Sequence, residues 1–261
     1  SVENAMKQFR EDRNHRELCF QFNRRFLVYF AVDLYEIAMA TQLNGDKTFF
    51  LPFNQGSGGA GNVGGSGNPE NPDGYNTSYL WENVLAKESL LNIIQRFLHV
   101  SIEKKKVTKD GKDTYKTSKK LIFPRYHQLD VVTKIMDDVK RNGSGKNYLI
   151  QHSAGSGKSN SIAWSSYRLA SLHDECNNSI FTSVIVVTDR KVLDSQLQDT
   201  ISSFDHTFGL VETIGDGKSS KDLRDAINDG KKIIVTTLQK FPVIYEEIES
   251  NKGKRFAIIV D

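Results

Sequence analysis

The sequence predicts a chain of mixed class: a doubly wound α/β domain with a parallel sheet in the second half, preceded by an α+β arrangement. The second half shows short apolar runs that alternate with helical segments, at residues 148–150, 184–187, 233–235 and 256–260. Continuous apolar runs, unlike alternating ones, are typical of strands that helices cover on both faces. A parallel sheet is therefore expected there.

The first half predicts helices beside antiparallel strands. Apolar side chains recur at helical spacing in residues 3–16 and again in residues 79–97, which predicts one helix and then one or two more. Between them lie β-rich runs at 26–32, 37–43 and 48–53, with the turn dipeptide Asn44-Gly45 ahead of the last run. Strands joined by tight turns pair antiparallel, so this half is expected to be α+β.

Composition and charge limit the classes of protein that need to be considered. The 35 basic and 32 acidic residues give a net charge of +3, too small to indicate a nucleic-acid partner without a local basic patch. There is no apolar run of about 18 residues and no apolar signal at the amino end, so neither a membrane span nor a secretion signal is predicted. Cys19 and Cys176 lack metal-binding spacing and are expected to be free thiols in a cytoplasmic protein.

Two segments of unusual composition suggest the domain boundaries. Residues 54–76 contain eight of the 19 glycines and are interpreted as a mobile loop, because such a stretch buries little apolar surface. Residues 101–120 contain eight lysines against three acids and are interpreted as a basic linker, either a solvated loop or one that contacts DNA. The predicted division is 1–100 for the first domain, 101–120 for the linker and 121–261 for the second domain.

A glycine-rich loop directly after the first apolar run of the second half carries the strongest chemical signal. Residues 152–159 read HSAGSGKS, which has the form of a phosphate-binding loop except that His152 replaces its first glycine. Glycines let backbone N–H groups turn toward phosphate oxygens, Lys158 adds a cation, and the Ser159 hydroxyl can ligate Mg²⁺ at the start of a helix. The predicted phosphate-binding residues are Gly155, Ser156, Gly157, Lys158 and Ser159.

Two further segments complete a predicted nucleotide site. Gln128, in the segment FPRYHQLDVV, carries an amide that can pair with the N6/N7 edge of adenine, and Arg125 and Tyr126 are expected to frame the base. The apolar run at 256–260 delivers Asp261 to the carboxyl edge of the sheet, where a carboxylate holds Mg²⁺ beside the phosphates. Lys158 and Asp261 are therefore the predicted catalytic pair. A glutamate normally follows such an aspartate and is absent here, so we expect this chain alone to bind nucleotide and hydrolyse it poorly.

These segments, in their order and spacing, resemble the first motor domain of the R subunit of type I restriction-modification enzymes. The resemblance is carried by FPRYHQLDVV, HSAGSGKS, VIVVTDRKVLDSQL, IIVTTLQKF and FAIIVD. Upstream, SVENAMKQFREDR, RRFLVYFAVD, FFLPFNQG and TSYLW resemble the later part of that subunit's nuclease domain. The resemblance implies a RecA-like P-loop parallel sheet preceded by the remainder of a restriction-endonuclease-like nuclease domain.

The resemblance also implies an activity and its partners. Such a subunit uses ATP and Mg²⁺ to translocate double-stranded DNA and cleaves it at a distance, together with modification and specificity subunits. It implies two DNA-contacting elements, the first formed by Thr188, Asp189, Arg190 and Gln196 and the second by Thr236, Thr237, Gln239 and Lys240. Hydroxyls and amides at strand ends suit contacts with phosphates that do not read base sequence.

Departures from the family pattern leave alternatives open. The family's nuclease carboxylates, an aspartate followed by a Glu-x-Lys strand, are expected upstream of Ser1. The family's glutamine-tyrosine helix element shows Ala5 and Phe9 at the corresponding positions. One alternative is another superfamily 2 DNA translocase, of the repair or remodelling kind, without nuclease function. The other is a binding module that holds nucleotide and DNA without turnover.

Overall fold

The computed structural model describes residues 1–109, 112–189, 191–204, 209–215, 217–241 and 253–261, with the side chains of 103–109, 112–113 and 191–196 excepted. The chain divides into two compact units, residues 1–130 and 131–261, and the division falls within helix α3 (Tyr126–Asn142). The predicted boundaries at 100 and 120 stay predictions.

The first unit contains two short helices and two antiparallel sheets. In order, its elements are α1 (Val2–Glu11), β1 (Tyr29–Val32), β2 (Ile37–Ala40), β3 (Leu51–Pro52), a π-helical turn (Leu80–Val84), α2 (Lys87–Arg96), β4 (His99–Lys109) and β5 (Lys112–Ile122). The predicted antiparallel order is confirmed, because β1 pairs with β2 and β2 with β3. The prediction of one or two helices in residues 79–97 is also confirmed, by the π-helical turn and α2.

Aromatic packing forms the core of the first unit. Phe53 is fully buried and packs edge-on against Phe30 and Tyr126, with ring centroids 5.2 and 5.9 Å away. Tyr79 lies 5.0 Å from Tyr126 and donates its hydroxyl to the Phe53 carbonyl at 2.7 Å. Burial of such rings stabilises this unit, with edge-to-face pairs adding about 0.5–1.5 kcal/mol each.

Helix α1 is shorter than predicted. It ends at Glu11, with Asp12 as its C-cap, although helical spacing was expected as far as residue 16. The charged segment after Asp12 contains Asn14, whose side-chain oxygen accepts the Arg16 amide at 3.0 Å. Such an asparagine turn competes with helical hydrogen bonds and stops the helix.

The glycine-rich loop, residues 54–76, lacks helices and strands as predicted, but it is not short of ordering interactions. Two backbone hydrogen bonds cross the loop. The Gly56 amide donates to the Gly67 carbonyl at 2.8 Å, and the Ser57 amide donates to the Gly65 carbonyl at 3.0 Å. Asn68 accepts the Gln55 amide and donates to the Tyr35 oxygen, both at 2.8 Å. Polar hydrogen bonds therefore offset ordering entropy that apolar burial alone could not.

The loop conformation predicted for the basic segment is wrong, because residues 101–109 and 112–120 belong to a long two-stranded ribbon. The role of this segment as a linker between domains stays a prediction. β4 and β5 pair antiparallel over their whole length, from His99 opposite Ile122 to Lys109 opposite Lys112. The lysine content suggested a linker, yet the interspersed β-branched residues favour strands. The sequence dipeptide Asp110-Gly111, a preferred hairpin connection, is the signal that could have found it, although it lies outside the described residues.

The second unit contains the predicted parallel sheet. Its elements after α3 are α4 (Lys158–Ala170), β6 (Ser183–Thr188), α5 (Lys191–Ser203), β7 (Val211–Ile214), α6 (Ser220–Asn228), β8 (Ile233–Thr237), a 3-10 turn (Leu238–Lys240) and β9 (Phe256–Val260). The strand order is β7-β8-β6-β9, and every pair is parallel. The strands predicted at 184–187, 233–235 and 256–260 are confirmed, while β7 was missed because only four residues form it.

The strand predicted at 148–150 is wrong. These residues belong to no strand, and Leu149 is 97% exposed. A three-residue run makes a strand only with a ladder partner, and within the described residues β9, the edge strand of this sheet, pairs with β6 alone. The Tyr148 hydroxyl instead donates to Asp138 in α3 at 2.6 Å.

Candidate nucleotide-binding site

The predicted phosphate-binding loop, residues 152–159, bends sharply into helix α4. Gly155 and Gly157 have φ of +73° and +82°, a left-handed conformation that costs other residues about 1–2 kcal/mol. A Cβ built on Gly155 meets nothing within 4 Å, so the backbone angle, and not crowding, requires glycine there. Gly157 is the N-cap of α4, which begins at Lys158, one residue earlier than expected.

Packing fixes the direction of α4 and hence the position of the loop. Trp164 is 1% exposed and its ring lies 5.7 Å from that of Phe204, while the Tyr167 hydroxyl donates to the Ile201 carbonyl at 2.9 Å. These contacts hold α4 against α5 and the residues that follow it. The amino end of a helix held in this way presents backbone amides and a partial positive charge, the ordinary setting for a bound phosphate.

The parallel register brings three predicted residues to one edge of the sheet. Thr188 lies opposite Thr237 at the ends of β6 and β8, and Val187 lies opposite Val260. Asp261 follows β9 directly, and its amide donates to the Val187 carbonyl at 3.0 Å. The carboxyl ends of these strands therefore align, and this edge is where ligands bind in open α/β sheets.

Lys158 and Asp261, predicted from separate motifs, meet at this edge. The Lys158 ammonium lies 3.3 Å from an Asp261 carboxylate oxygen, with the two side chains 53% and 21% exposed. A pair this accessible to water is worth at most about 1 kcal/mol. Because the attraction is weak, a phosphate can replace the carboxylate at Lys158, and a cation can replace the ammonium at Asp261.

The donor set at this edge fits a nucleoside triphosphate with Mg²⁺. Lys158 and the amides of the loop would hold phosphates, while the Ser159 hydroxyl and the Asp261 carboxylate would hold the metal. Within the described parts of the chain, no three His, Cys, Asp or Glu side chains form a metal cluster. Mg²⁺ commonly uses one or two protein ligands together with phosphate oxygens and water, which this arrangement allows.

A carboxylate that sequence reasoning missed anchors the segment that leads into the loop. Asp138 in α3 accepts hydrogen bonds from the Tyr148 hydroxyl at 2.6 Å, the Asn142 amide at 2.7 Å and the Lys146 ammonium at 3.0 Å. Donation by Tyr148, and then by Lys146, lowers the pKa of Asp138. Burial, and then the hydrogen bond to Asp138, raises the pKa of Tyr148 to about 12, so its hydroxyl remains a donor at neutral pH. No motif marks this cluster.

The predicted adenine-binding residues lie at the start of α3, in the first unit. The Gln128 side-chain oxygen accepts the Arg125 amide at 2.8 Å, and Gln128 is 2% exposed. This hydrogen bond uses one of the two lone pairs of the amide oxygen. Burial lowers the pKa of Arg125, and its buried Nε has no hydrogen-bond partner among the described residues. The adenine-binding role of Gln128, Arg125 and Tyr126 stays a prediction.

The two predicted DNA-contacting elements lie side by side at the carboxyl edge of the sheet. The Gln239 amide donates to the Asp189 carbonyl at 3.2 Å. The Lys240 ammonium donates to the Ile214 and Gly215 carbonyls at 2.5 and 2.6 Å, which ties it to the end of β7.

The threonines of these two elements are buried. Thr188, Thr236 and Thr237 are each at most 6% exposed. Arg190 and the side chain of Gln196 lie outside the described residues. DNA contact by both elements stays a prediction.

The parallel sheet, the loop at the helix terminus and the lysine-aspartate pair define the second unit as a P-loop nucleotide-binding domain. A family model described as SWI2/SNF2 ATPase matches residues 127–261, which is 135 of the 261 residues. The chain belongs to the SWI2/SNF2 ATPase family. A search of curated proteins gave no match.

Family membership confirms the broader part of the sequence prediction. The chain is a superfamily 2 helicase-like ATPase, of a kind that uses ATP, and the mixed α/β fold with its parallel sheet agrees with this. The narrower assignment to a restriction subunit, and the nuclease parentage of the first unit, go beyond what the match distinguishes. No helix in the described ranges is long and apolar enough to cross a bilayer.

Proposed function

We propose that this chain binds ATP with Mg²⁺ as part of the R subunit of a type I restriction enzyme, which couples ATP hydrolysis to translocation of double-stranded DNA and cleaves that DNA at a distance. The observation that carries the nucleotide site is the meeting of Lys158 and Asp261, 3.3 Å apart, beside the left-handed glycines of the loop. The restriction parentage is supported by the resemblance, which covers motifs in both halves of the chain.

Different residues of the site interact with the negative phosphates and with the positive metal ion of the ligand. Lys158 neutralises phosphate oxygens, and the amides at the amino end of α4 donate to them. The Asp261 carboxylate and the Ser159 hydroxyl would hold Mg²⁺, which would supply Lewis-acid stabilisation of charge on the phosphates. The modification and specificity subunits are the proposed protein partners.

Replacement of Lys158 tests the nucleotide site. We expect Lys158→Ala to lower the affinity for ATP with Mg²⁺ by about 100-fold, because a charge-assisted hydrogen bond contributes about 1.5–3 kcal/mol. The measurement is a titration with a fluorescent ATP analogue. Lys218→Ala is the matched control, because Lys218 also forms a half-exposed ion pair, with Glu212 at 2.5 Å. Equal affinities for Lys158→Ala and wild type would contradict the site.

A second candidate is a superfamily 2 DNA translocase without nuclease function, of the repair or remodelling kind. The observation that favours it is that the matching family model is described only as an ATPase and covers only residues 127–261. The encoded sequence upstream of Ser1 separates the two. An aspartate followed by a Glu-x-Lys strand within roughly one further small domain supports the restriction subunit, and its absence supports the other translocase.

A third possibility, a module that binds nucleotide without turnover, is separated by ATP hydrolysis. We would measure phosphate release by the chain with and without duplex DNA. Release that depends on both DNA and Lys158 supports the motor. Tight ATP binding without release supports the binding module.

A further inference from the structure

The ribbon formed by β4 and β5 has an uneven distribution of charge between its two faces. Opposed residues of an antiparallel pair share a face, and successive residues alternate between faces. One face therefore carries Lys105 and Lys109 of β4 and Lys112, Lys116 and Lys120 of β5. Glu103 is the only acid at the register positions of this face, whereas the other face carries Lys104, Lys106, Lys119 and Asp113.

The register of this basic face opposes like charges. Lys105 lies opposite Lys116, and Lys109 lies opposite Lys112. Directly opposed residues have Cβ atoms about 4.5–5.5 Å apart, and like charges at that separation destabilise the pair. A ribbon that only had to be well solvated could exchange one lysine of each pair for an acid and gain stability. The two lysine pairs are therefore best explained by an anionic partner that neutralises their charge.

The described end of the ribbon is open to such a partner. Lys116 and Lys120, both on the five-lysine face, are exposed. The strands span 11 residues each, about 37 Å at 3.4 Å per residue, which is close to one turn of B-form DNA. The major groove of DNA admits a two-stranded ribbon, and its edges are lined by phosphates.

We propose that the β4–β5 ribbon is a DNA-binding arm, whose five-lysine face contacts the phosphates of double-stranded DNA. Duplex DNA is favoured over other acidic partners because its charge is regular along a straight axis, as the lysines are along the strands. Lys112, Lys116 and Lys120 recur at every fourth residue, about 14 Å apart, and Lys105 and Lys109 repeat that interval. The partner is the DNA of the proposed motor, but the contact requires no nucleotide.

The test compares two triple variants that change the net charge equally. One variant carries Lys105→Gln, Lys112→Gln and Lys116→Gln, which lie on the basic face. The other carries Lys104→Gln, Lys106→Gln and Lys119→Gln, which lie on the opposite face. Binding of the whole chain to a labelled 30-base-pair duplex is measured by anisotropy, without nucleotide, over a range of salt concentrations.

Loss of three phosphate contacts should make the negative slope of log affinity against log salt shallower by about 2.7 and, with affinities that converge at 1 M salt, lower the affinity at 0.1 M salt by about 500-fold. The opposite-face variant should keep the wild-type slope to within about one contact. A single variant, Lys116→Gln, should lower the slope by about 0.9.

Several outcomes overturn the proposal. They are equal losses in the two triple variants, absence of duplex binding by the wild type, or equally salt-sensitive binding of polyglutamate or single-stranded DNA that depends on the same face. Folding is checked by melting, and the basic-face variant should melt no lower than wild type because it removes two like-charged pairs. Lys158→Ala should bind the duplex as wild type does, so failure of the nucleotide site and failure of the arm are distinguishable.

Discussion

Lys158 and Asp261 form an ion pair that is weak enough to separate. The Lys158 ammonium lies 3.3 Å from an Asp261 carboxylate oxygen, and both side chains are partly exposed. A stronger, buried pair would resist separation, since removing one partner of a buried pair costs several kcal/mol. The weak pair instead keeps both side chains at the sheet edge, where a phosphate can bind Lys158 and a metal ion can bind Asp261.

Gly155 permits a prediction that separates backbone strain from ligand binding. Gly155→Ala should lower the free energy of unfolding by about 1 kcal/mol, because alanine is strained at φ of +73°. It should also weaken ATP binding, because relief of that strain moves the loop amides.

The matched control for Gly155 is Gly143→Ala. Gly143 has φ of +72° and, like Gly155, nothing within 4 Å of an added Cβ, but it lies outside the loop. Denaturant unfolding should show similar losses for both variants, and ATP titration should show weaker binding for Gly155→Ala alone. Unaltered ATP affinity in Gly155→Ala would show that the loop amides do not depend on this glycine.

Residues 148–150 were predicted to form a strand, but a side-chain hydrogen bond to a helix fixes their position instead. The segment at 148–150 reads as a short β-run, but Tyr148 is anchored to Asp138 of α3 and not to a neighbouring strand. The anchor joins the end of α3 to the chain entering the loop. It therefore limits how far the start of the loop can move relative to α3.

Removal of the Tyr148 hydroxyl tests this anchor through its pH dependence. The pKa of Asp138 is lowered in the folded state, so its contribution is complete above the ordinary aspartate pKa, near 4, and is lost as the pH falls through the lower folded value. Tyr148→Phe should thus lower the melting temperature at pH 7, and the difference from wild type should shrink at pH 3. Tyr115→Phe, at an exposed position of β5, is the control and should change melting at neither pH. A Tyr148→Phe deficit that persists unchanged at pH 3 would assign the effect to something other than the Asp138 bond.

The β4–β5 ribbon shows a limit of reading composition at the level of elements. Lysine-rich sequence indicates solvent exposure, and exposure is common to linkers and to two-stranded ribbons. What distinguishes them is pairing between residues such as Ser101 and Lys120, 19 positions apart, which no local pattern reports. By contrast, β6 and β8 were predicted because strands buried on both faces must be continuously apolar.

For the whole molecule, the sequence predicted the parts that chemistry restricts most. Phosphate-binding loops require glycine at left-handed positions and a lysine at a helix start, and the sequence pointed to Gly155, Gly157 and Lys158 for that reason. Their backbone angles and the start of α4 agree with the pattern, while phosphate binding stays a prediction. The meeting of Lys158 with Asp261 depends on the alignment of parallel strands at one edge. The Asp138 cluster was not predictable, because any acid and any tyrosine can form such a bond and only the fold brings these two together.

Arg125, Tyr126 and Gln128, which the sequence predicts to bind adenine, lie in the first unit. ATP with Mg²⁺ at 100 times its dissociation constant should stabilise the folded state that binds it by about 2.7 kcal/mol, and tripolyphosphate at the same multiple of its own constant should do the same. Both ligands should slow amide hydrogen exchange at the start of α4, because both engage the loop. Only ATP should slow exchange at residues 125–130, since Gln128 and Arg125 have nothing to bind in a ligand without a base. Equal protection of residues 125–130 by both ligands would remove Gln128 from base recognition, while leaving the phosphate site with Lys158 intact.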